Sequence, residues 1–440
     1  MSAPPSDPHE PRIIPRPEHP ISRRSISSGA LKVLYRLHRS GYRACLVGGS
    51  VRDLLLGRTP KDFDVVTNAR PREIRRLFRN SRIIGRRFRL VHVMFAGEIV
   101  EVATFRASPE PPEVPDGWED GEAAAAEHEE IPPNGGPVDE NNVYGTPAED
   151  ALRRDFTVNA LLYDIADFSI IDYVGGVEDL EAGILRTIGD PDRRFVEDPV
   201  RMIRALEYQV RLGFDLEPGL EASIDRNRRL ILEAAPARLA YELLETLRSG
   251  HSRGICAAWR RHGILELVFP EAAAAGRALG PVLAAVDARI ARGSYPDDAA
   301  LLGVAFLPAY VRILAGVRSE NGKIDNPALL AALDELLAAP AMRLHLSNHN
   351  HHLLKQGLFT LSKMLKAPER GRQVTRLARQ EYFPVAWQLY TLAVESELLP
   401  REPWTAWRTA VERLEAGESL QEPEKRRPRR RRPRRRRRRS

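Results

Sequence analysis

The stretch PKDFDVV, Pro60–Val66, sets two aspartates two residues apart inside an apolar run. Alternate residues of a strand share a face, so Asp62 and Asp64 are expected side by side. Carboxylates that close repel, and burying them without a counter-charge is costly. A divalent cation answers both demands, because Mg²⁺ takes one or two protein carboxylates together with phosphate oxygens and water. Just upstream stands LVGGSVRD. Gly48 and Gly49 let the backbone approach a phosphate, and the start of the following helix offers free N–H groups and a positive dipole end. Arg52 adds a guanidinium fork. Each signal alone is weak, since solvated D-x-D pairs and structural glycine turns are common. In one block they describe a phosphate cradle beside a metal-binding pair, the layout of a two-metal phosphoryl-transfer site with two Mg²⁺ ions.

Two further carboxylates are candidates for that site. Glu101 lies in the apolar strand IVEVATF, where the competing reading is a strand-end ion pair. Asp155 lies in RRDFT beside Arg153 and Arg154, where the competing reading is a charge at a helix N-terminus. In EDPVRMIRALEYQVRLGF, helical spacing sets Asp198 three residues from Arg201, and Glu197, Arg201 and Arg204 on one face. This is either an ion-pair ladder or a base clamp. As a clamp, Asp198 accepts from an exocyclic amine and Arg201 donates to a ring nitrogen. Adenine and cytosine both satisfy that pair; uracil and guanine present the reverse pattern. His345, His349, His351 and His352 in RLHLSNHNHH have no acidic partner at metal-ligand spacing and read as a polar helix start.

The elements that must hold these residues follow from periodicity. Strands and helices alternate up to about Ile188, and from Asp192 to about Ala416 the pattern is almost wholly helical. The fold class is therefore an α+β head followed by an all-α neck and body, with disordered termini. The expected divisions are an extended, proline-rich lead-in over 1–26, a head over 27–190, a helical neck carrying the base motif over 191–255, a helical body over 256–418 and an Arg-rich tail over 419–440. Within the head, 109–142 is acidic and rich in Pro and Gly, and reads as a mobile surface loop. At 440 residues and 43% hydrophobic, the chain can bury more than one core. No apolar run of membrane-spanning length occurs, and the N-terminus lacks the apolar core of a signal peptide. Two cysteines exclude a disulfide framework and a cysteine-built zinc site, so a cytoplasmic protein is expected.

In family order from about Ala44 to Phe214, LVGGSVRD, KDFDVVTNA, RRDFTVNALLYD, DYVGG, LRTIGD and RFVEDPVRMIRA resemble the class II nucleotidyltransferases. These are the bacterial poly(A) polymerases and the CCA-adding tRNA nucleotidyltransferases. The resemblance implies a nucleotidyltransferase-type mixed sheet, Asp62 and Asp64 as metal ligands, and Gly49 and Arg52 at the triphosphate. It also implies Arg153, Arg154 and Asp155 at the nucleotide's ribose or phosphates, and Asp198 and Arg201 at the base with Arg204 in support. One position departs: the family arginine three residues after Arg204 is Glu207 here, with Arg204 and Arg211 as possible partners. IIGRRFRLVHV, Ile83–Val93, the lead-in and the basic tail are similar to the poly(A) polymerase branch. Arg86, Arg87 and Arg89 there suit an RNA backbone. The expected function is template-independent transfer of AMP from ATP to RNA 3′ ends. CCA addition is the alternative, since the clamp admits A and C alike, and an RNA-binding protein with weak catalysis is a third reading.

The tail from Lys425 through Arg426 and Arg427 to Arg439 holds one Lys and twelve Arg. Without them 54 basic residues face 60 acidic ones, so the average charge of the remainder is negative. Thirteen clustered cations raise encounter with RNA without reading sequence. Deleting Lys425–Ser440 should weaken RNA affinity and flatten its salt dependence while leaving the rate at saturating RNA nearly unchanged. Equal salt slopes for the two chains would show that the tail is no RNA tether.

Overall fold

The computed structural model describes residues 10–85, 89–107, 143–369 and 371–418. The acidic segment 109–142, Arg86 and Arg87, and the tail with Lys425, Arg426 and Arg427 lie outside these residues, as do residues 1–9. The chain divides into two compact units. One comprises Met1–Arg201 and Leu212–Asn227, the other Met202–Arg211 and Arg228–Ser440.

The first unit is built on an eight-stranded mixed sheet. Its strands are β1 (Arg12–Ile14), β2 (Ala44–Val47), β3 (Asp64–Thr67), β4 (Ser81–Ile84), β5 (Leu90–Phe95), β6 (Glu98–Thr104), β7 (Leu162–Asp164) and β8 (Ile170–Asp172). Their order is β1-β8-β7-β2-β3-β6-β5-β4. Only β3 and β6 run parallel; every other pair is antiparallel. A small parallel pair joins β9 (Ile184–Leu185) to β10 (Asp215–Leu216). The helices are α1 (Ser28–Arg39), α2 (Gly49–Leu55), α3 (Pro71–Leu77), α4 (Pro147–Leu152), α5 (Gly176–Ala182), α6 (Pro191–Glu197) and α8 (Pro218–Asn227), while α7 (Val200–Leu212) lies mostly in the second unit. Two strands escape the periodicity. β1 turns part of the expected lead-in into an edge strand against β8, and β4 is a further edge strand paired with β5. Both are only three or four residues long, RII and SRII, too short to show a period alone, and pairing in the sheet makes them strands.

The two faces of the sheet are distinct. Val65, Thr67, Val100, Val102 and Thr104 share one face and are buried. Helix α1 packs on β2, β3 and β6 through Ala30, Val33, Leu34 and Leu37, all fully buried. The valine and leucine side chains each contribute about 1.5–3 kcal/mol relative to exposure. Glu98 lies on this same face: its Oε2 accepts from Gly29 N at 3.2 Å, and Ser27 Oγ donates to its other oxygen. Ser27 Oγ also accepts from Ala30 N at 3.1 Å, so two side chains cap α1. Glu101, three residues on, points from the opposite face.

The second unit is helical. Its longer helices include Pro236–Arg248, Leu279–Ala291, Asn326–Arg343, Asn348–Met364, Phe383–Glu395 and Arg401–Glu415. Trp259, Tyr310, Tyr390 and Trp407 are fully buried there. The aromatics of EYFPVAWQLY thus serve the core of this unit, with Trp387 stacked on Trp404 at 6.0 Å. Gly303 lets helices meet closely, since a Cβ there would lie 2.8 Å from Leu354 and Leu389.

Replacing Glu98 with alanine should cost about 1 kcal/mol of local stability at the start of α1. Hydrogen exchange at Gly29 and Ala30 should quicken about fivefold. Unchanged exchange there would show that Ser27 alone caps the helix.

Candidate active site

The first residue of β3, Asp64, stands in register with Glu101 of β6, and Glu101 with His92 of β5. His92 Nε2 is 3.4 Å from Glu101 Oε2. The sheet thus sets Asp64 and Glu101 side by side on the face opposite α1. Asp62 does not share the strand, contrary to expectation. β2 ends at Val47, the partner of Asp64, where Gly48 turns at φ 72°, so β3 has no β2 residue to pair beyond Asp64. Asp62 sits in the segment before it, yet its charge acts on Asp64. The Asp64 side chain reaches solvent, but its carboxyl is crowded from behind by protein. That burial first, then Glu101, then Asp62 push it up to about 6, with Arg154 working against them. Among the described residues no three His, Cys, Asp or Glu side chains form a closed metal cage. Crowded carboxylates open to solvent do fit Mg²⁺, which draws its remaining ligands from phosphate and water.

The glycine turn directly follows the residue paired with Asp64. A Cβ on Gly48 would lie 3.4 Å from Arg154 Nη1, besides being strained at that φ. Ser50, buried, donates to Val47 O at 3.1 Å and closes the turn. Arg52, expected at the triphosphate, is buried at 3% exposure. Its Nη1 donates to Asn159 Oδ1 at 2.6 Å and its Nε to Asp53 Oδ1 at 2.9 Å. Asn159 Nδ2 in turn donates to Asp155 Oδ1 at 3.2 Å. Asp155 lies beyond the C-terminus of α4 rather than at a helix start, and also accepts from Phe156 N at 2.8 Å.

Arg153 and Arg154 share one fully buried carboxylate, Asp150. Arg153 Nη2 approaches Oδ1 at 2.5 Å and Arg154 Nη2 approaches Oδ2 at 2.9 Å. Burial alone would raise the Asp150 pKa, but Arg154 and Arg153 outweigh it and hold the group below the ordinary carboxylate value. Arg194 Nη2 donates to the carbonyls of Arg153, at 2.7 Å, and Arg154. Its Nη1 meets Glu197 Oε2 at 2.7 Å, and Arg201 Nη1 meets the same oxygen at 2.8 Å. Sequence spacing missed Asp150, Asn159 and Arg194, because their partners lie on other turns or elements. Asp150 alone carried a signal: it stands at i−3 and i−4 from the two arginines.

The single helix expected through Glu197, Asp198, Arg201 and Arg204 is broken. Asp198 is extended, φ −156° and ψ 93°, because it precedes Pro199, whose ring disfavours a helical residue before it. α7 begins anew at Val200, and Arg201 N donates to Asp198 O at 3.1 Å. Arg204 belongs to the second unit, where it meets Tyr208 Oη at 3.0 Å and Glu242 at 3.4 Å. Glu207 is buried there and accepts from Arg211 at 2.6 Å. Arg89 lends its carbonyl to Arg106 Nη2 at 3.0 Å. In the histidine cluster, His349 lies 3.7 Å from Glu381 on an exposed surface and His352 stands edge-on to Tyr382.

A mixed sheet with paired carboxylates beside a glycine turn, followed by a helical body, defines a nucleotidyltransferase. Residues 44–186 match the Poly A polymerase head domain, and 213–275 match the family described as probable RNA and SrmB-binding site of polymerase A. Over 394 residues the chain is 38% identical to poly(A) polymerase I of Salmonella typhimurium, covering 88% of this chain and 82% of that protein. It is also 38% identical to a CCA-adding enzyme of Lactobacillus helveticus, over 51% of each chain. The Bacillus stearothermophilus CCA-adding enzyme, solved in complex with CTP, superimposes with a TM-score of 0.56 at 25% identity, covering 88% of this chain and 82% of that one. The chain belongs to the bacterial poly(A) polymerase I family.

Because Asp64's folded pKa lies above that of an unfolded aspartate, about 3.9, the fold favours its neutral form. Its contribution to stability is complete below that unfolded value and is lost as pH rises through about 6. Glu101→Gln should move the Asp64 titration, followed by carboxyl ¹³C NMR without divalent ions, toward the ordinary value while burial keeps it above. An unmoved titration would show that Glu101 does not act on Asp64.

Proposed function

We propose that the chain adds AMP from ATP to RNA 3′ ends without a template, releasing pyrophosphate. The observation that carries this is the Asp64–Glu101 pair, with Asp62 close by, one residue from the Gly48–Gly49 turn. Mg²⁺ ions held by Asp62 and Asp64, with Glu101 as third carboxylate, would neutralise the triphosphate and activate the attacking 3′-hydroxyl. The chain's own residues do the rest. The first amides of α2 lack carbonyl partners within the helix and point toward an incoming phosphate. Arg153 and Arg154, fixed by Asp150, offer their remaining N–H edges to the nucleotide. Arg52 acts on the turn from beneath, through Asp53 and Asn159, and is a positioning residue; Asp155 orients Asn159. Asp198 accepts from the base's exocyclic amine and Arg201, steadied by Glu197, donates to the ring nitrogen, which excludes UTP and GTP.

The choice of ATP over CTP rests on extent of likeness: the poly(A) polymerase I relative aligns with 88% of the chain and the CCA-adding relative with about half. No single helix among the described residues is long and apolar enough to cross a membrane. We read the enzyme as cytoplasmic, with RNA and ATP as its partners.

Purified protein with Mg²⁺ and a short RNA should incorporate ATP in runs, CTP weakly, and UTP and GTP hardly at all. Asp64→Ala and Asp62→Ala should each lose about 10²–10³-fold or more in rate while staying folded. Ordered addition of C, C and A to a tRNA lacking its end would make the CCA reading correct. Retained RNA binding with no incorporation would leave only the RNA-binding reading.

A further inference from the structure

The side of the head sheet turned away from Asp64 and Glu101 carries a second accumulation of charge. Residues 11–43 hold eight Arg and Lys against the single acidic residue Glu18, and α1 itself contains no acid. Along the outer surface of α1 run two adjoining clefts of about 680 and 530 Å³, which share Leu31 and Tyr35. Arg16, Arg23 and Arg24 line the first; Lys32, Arg36 and Arg39 line the second. All six are exposed, and none has a carboxylate within 4.0 Å among the described residues. Arginines elsewhere in this unit, such as Arg43, Arg153, Arg154, Arg186 and Arg194, are engaged by Asp or Glu.

The cations are also held in place by rings. The Arg23 guanidinium lies 4.7 Å over Phe168 and donates to Tyr35 Oη at 2.8 Å. Lys32 lies 5.6 Å over Phe95, Arg36 5.2 Å over Phe78 and Arg39 5.8 Å over Tyr35. Stacked this way, they present N–H groups outward without a full loss of side-chain freedom on binding. Cations interleaved with aromatic faces, in two clefts along a twelve-residue helix about 18 Å long, match a single-stranded nucleic acid. Phosphates take the cations, and a base takes the half-exposed ring of Tyr35. An acidic peptide would use the charges but not the ring.

We propose that this face is a second RNA site, holding a single-stranded segment upstream of the 3′ end while the end itself occupies the opposite face of the sheet. The proposal rests on the reading of the chain as an RNA-extending enzyme. None of these residues belongs to the site around Asp64, and the segment is distinct from the C-terminal tail.

The test uses the full chain, with Arg23→Gln, Lys32→Gln and Arg36→Gln combined and Tyr35→Leu made separately. Affinity for a single-stranded RNA of about 40 nucleotides is followed by fluorescence anisotropy as salt rises, and AMP incorporation is followed on a primer of about 6 nucleotides, too short for both faces. The triple variant should bind the long RNA about tenfold more weakly, with a salt slope smaller by about two, while extending the short primer normally. Normal extension excludes a folding defect. Tyr35→Leu should lose about threefold or more on RNA and nothing on inorganic polyphosphate. An unchanged affinity and slope in the triple variant would overturn the site. Equal loss of Tyr35→Leu on both polyanions would overturn base stacking, and displacement of RNA by polyglutamate at equal charge would assign the face to an acidic protein instead. Should the wild-type chain fail to extend any RNA, the catalytic reading falls, while the anisotropy arms still decide this site.

Discussion

Two carboxylates held side by side by backbone hydrogen bonds set the terms for the head. Asp64 and Glu101 stay side by side because β3 and β6 are locked in parallel register, and burial first, then Glu101, push the Asp64 carboxyl up to about 6. A sheet enforces such proximity at low cost in conformational freedom, since the ladder that fixes the pair also buries Val65, Val66, Val100 and Val102. The face behind them is sealed by α1, and their own face is left open to whatever cation and phosphate relieve the repulsion. The Gly48 turn then falls where it must, at the end of the strand that pairs with Asp64.

Arginine serves two opposite purposes in this unit. Arg52, Arg153, Arg154 and Arg194 are tied to carboxylates or carbonyls and lose most of their freedom. Asp150 is the anchor, a carboxylate with no solvent exposure that two guanidiniums share and that Arg106 N also reaches at 3.2 Å. A buried charge of this kind adds little net stability, but removing one partner leaves the other uncompensated, so it fixes geometry. On α1 the cations lean on rings instead and keep their charge unspent.

The sequence made some of this plain and concealed the rest for identifiable reasons. Asp64 at a strand, the glycine turn and the limits of α1, α2 and α3 follow from periodicity, caps and short-range spacing, whereas Asp62 lies before the strand that periodicity assigned it to. Glu101 was visible as a carboxylate in an apolar strand, but its partner was not, since register between β3 and β6 is a tertiary property. The break at Asp198 was legible in Pro199 and was overridden by the attraction of an i,i+3 and i,i+4 charge pattern. The hydrogen bond that holds Arg52 was out of sight because its partner, Asn159, stands 107 residues away. The basic face of α1 disappeared in averaging: the chain without its tail has more acids than bases, although residues 11–43 are strongly cationic.

Glu207 illustrates how a departure from a family pattern is judged by its surroundings. In the second unit it lies buried with Glu242, and Arg204, Arg211 and Arg238 act on the two acids. Burial, with Glu207's help, raises the Glu242 pKa, while Arg204 and Arg238 oppose the rise. An arginine at 207 would stand one helical turn from Arg211 and leave Glu242 as the one acid facing Arg204, Arg238 and the new cation in that group. Like charges at that spacing repel, and the cost grows as water is excluded. Glu207 therefore completes a local charge balance, and its acidic side chain is explained by Arg211 without any ligand. Function follows for the neighbouring residue: with Arg211 occupied by Glu207, Arg204 is left to Glu242 and Tyr208, whose ring it also overlies at 5.4 Å.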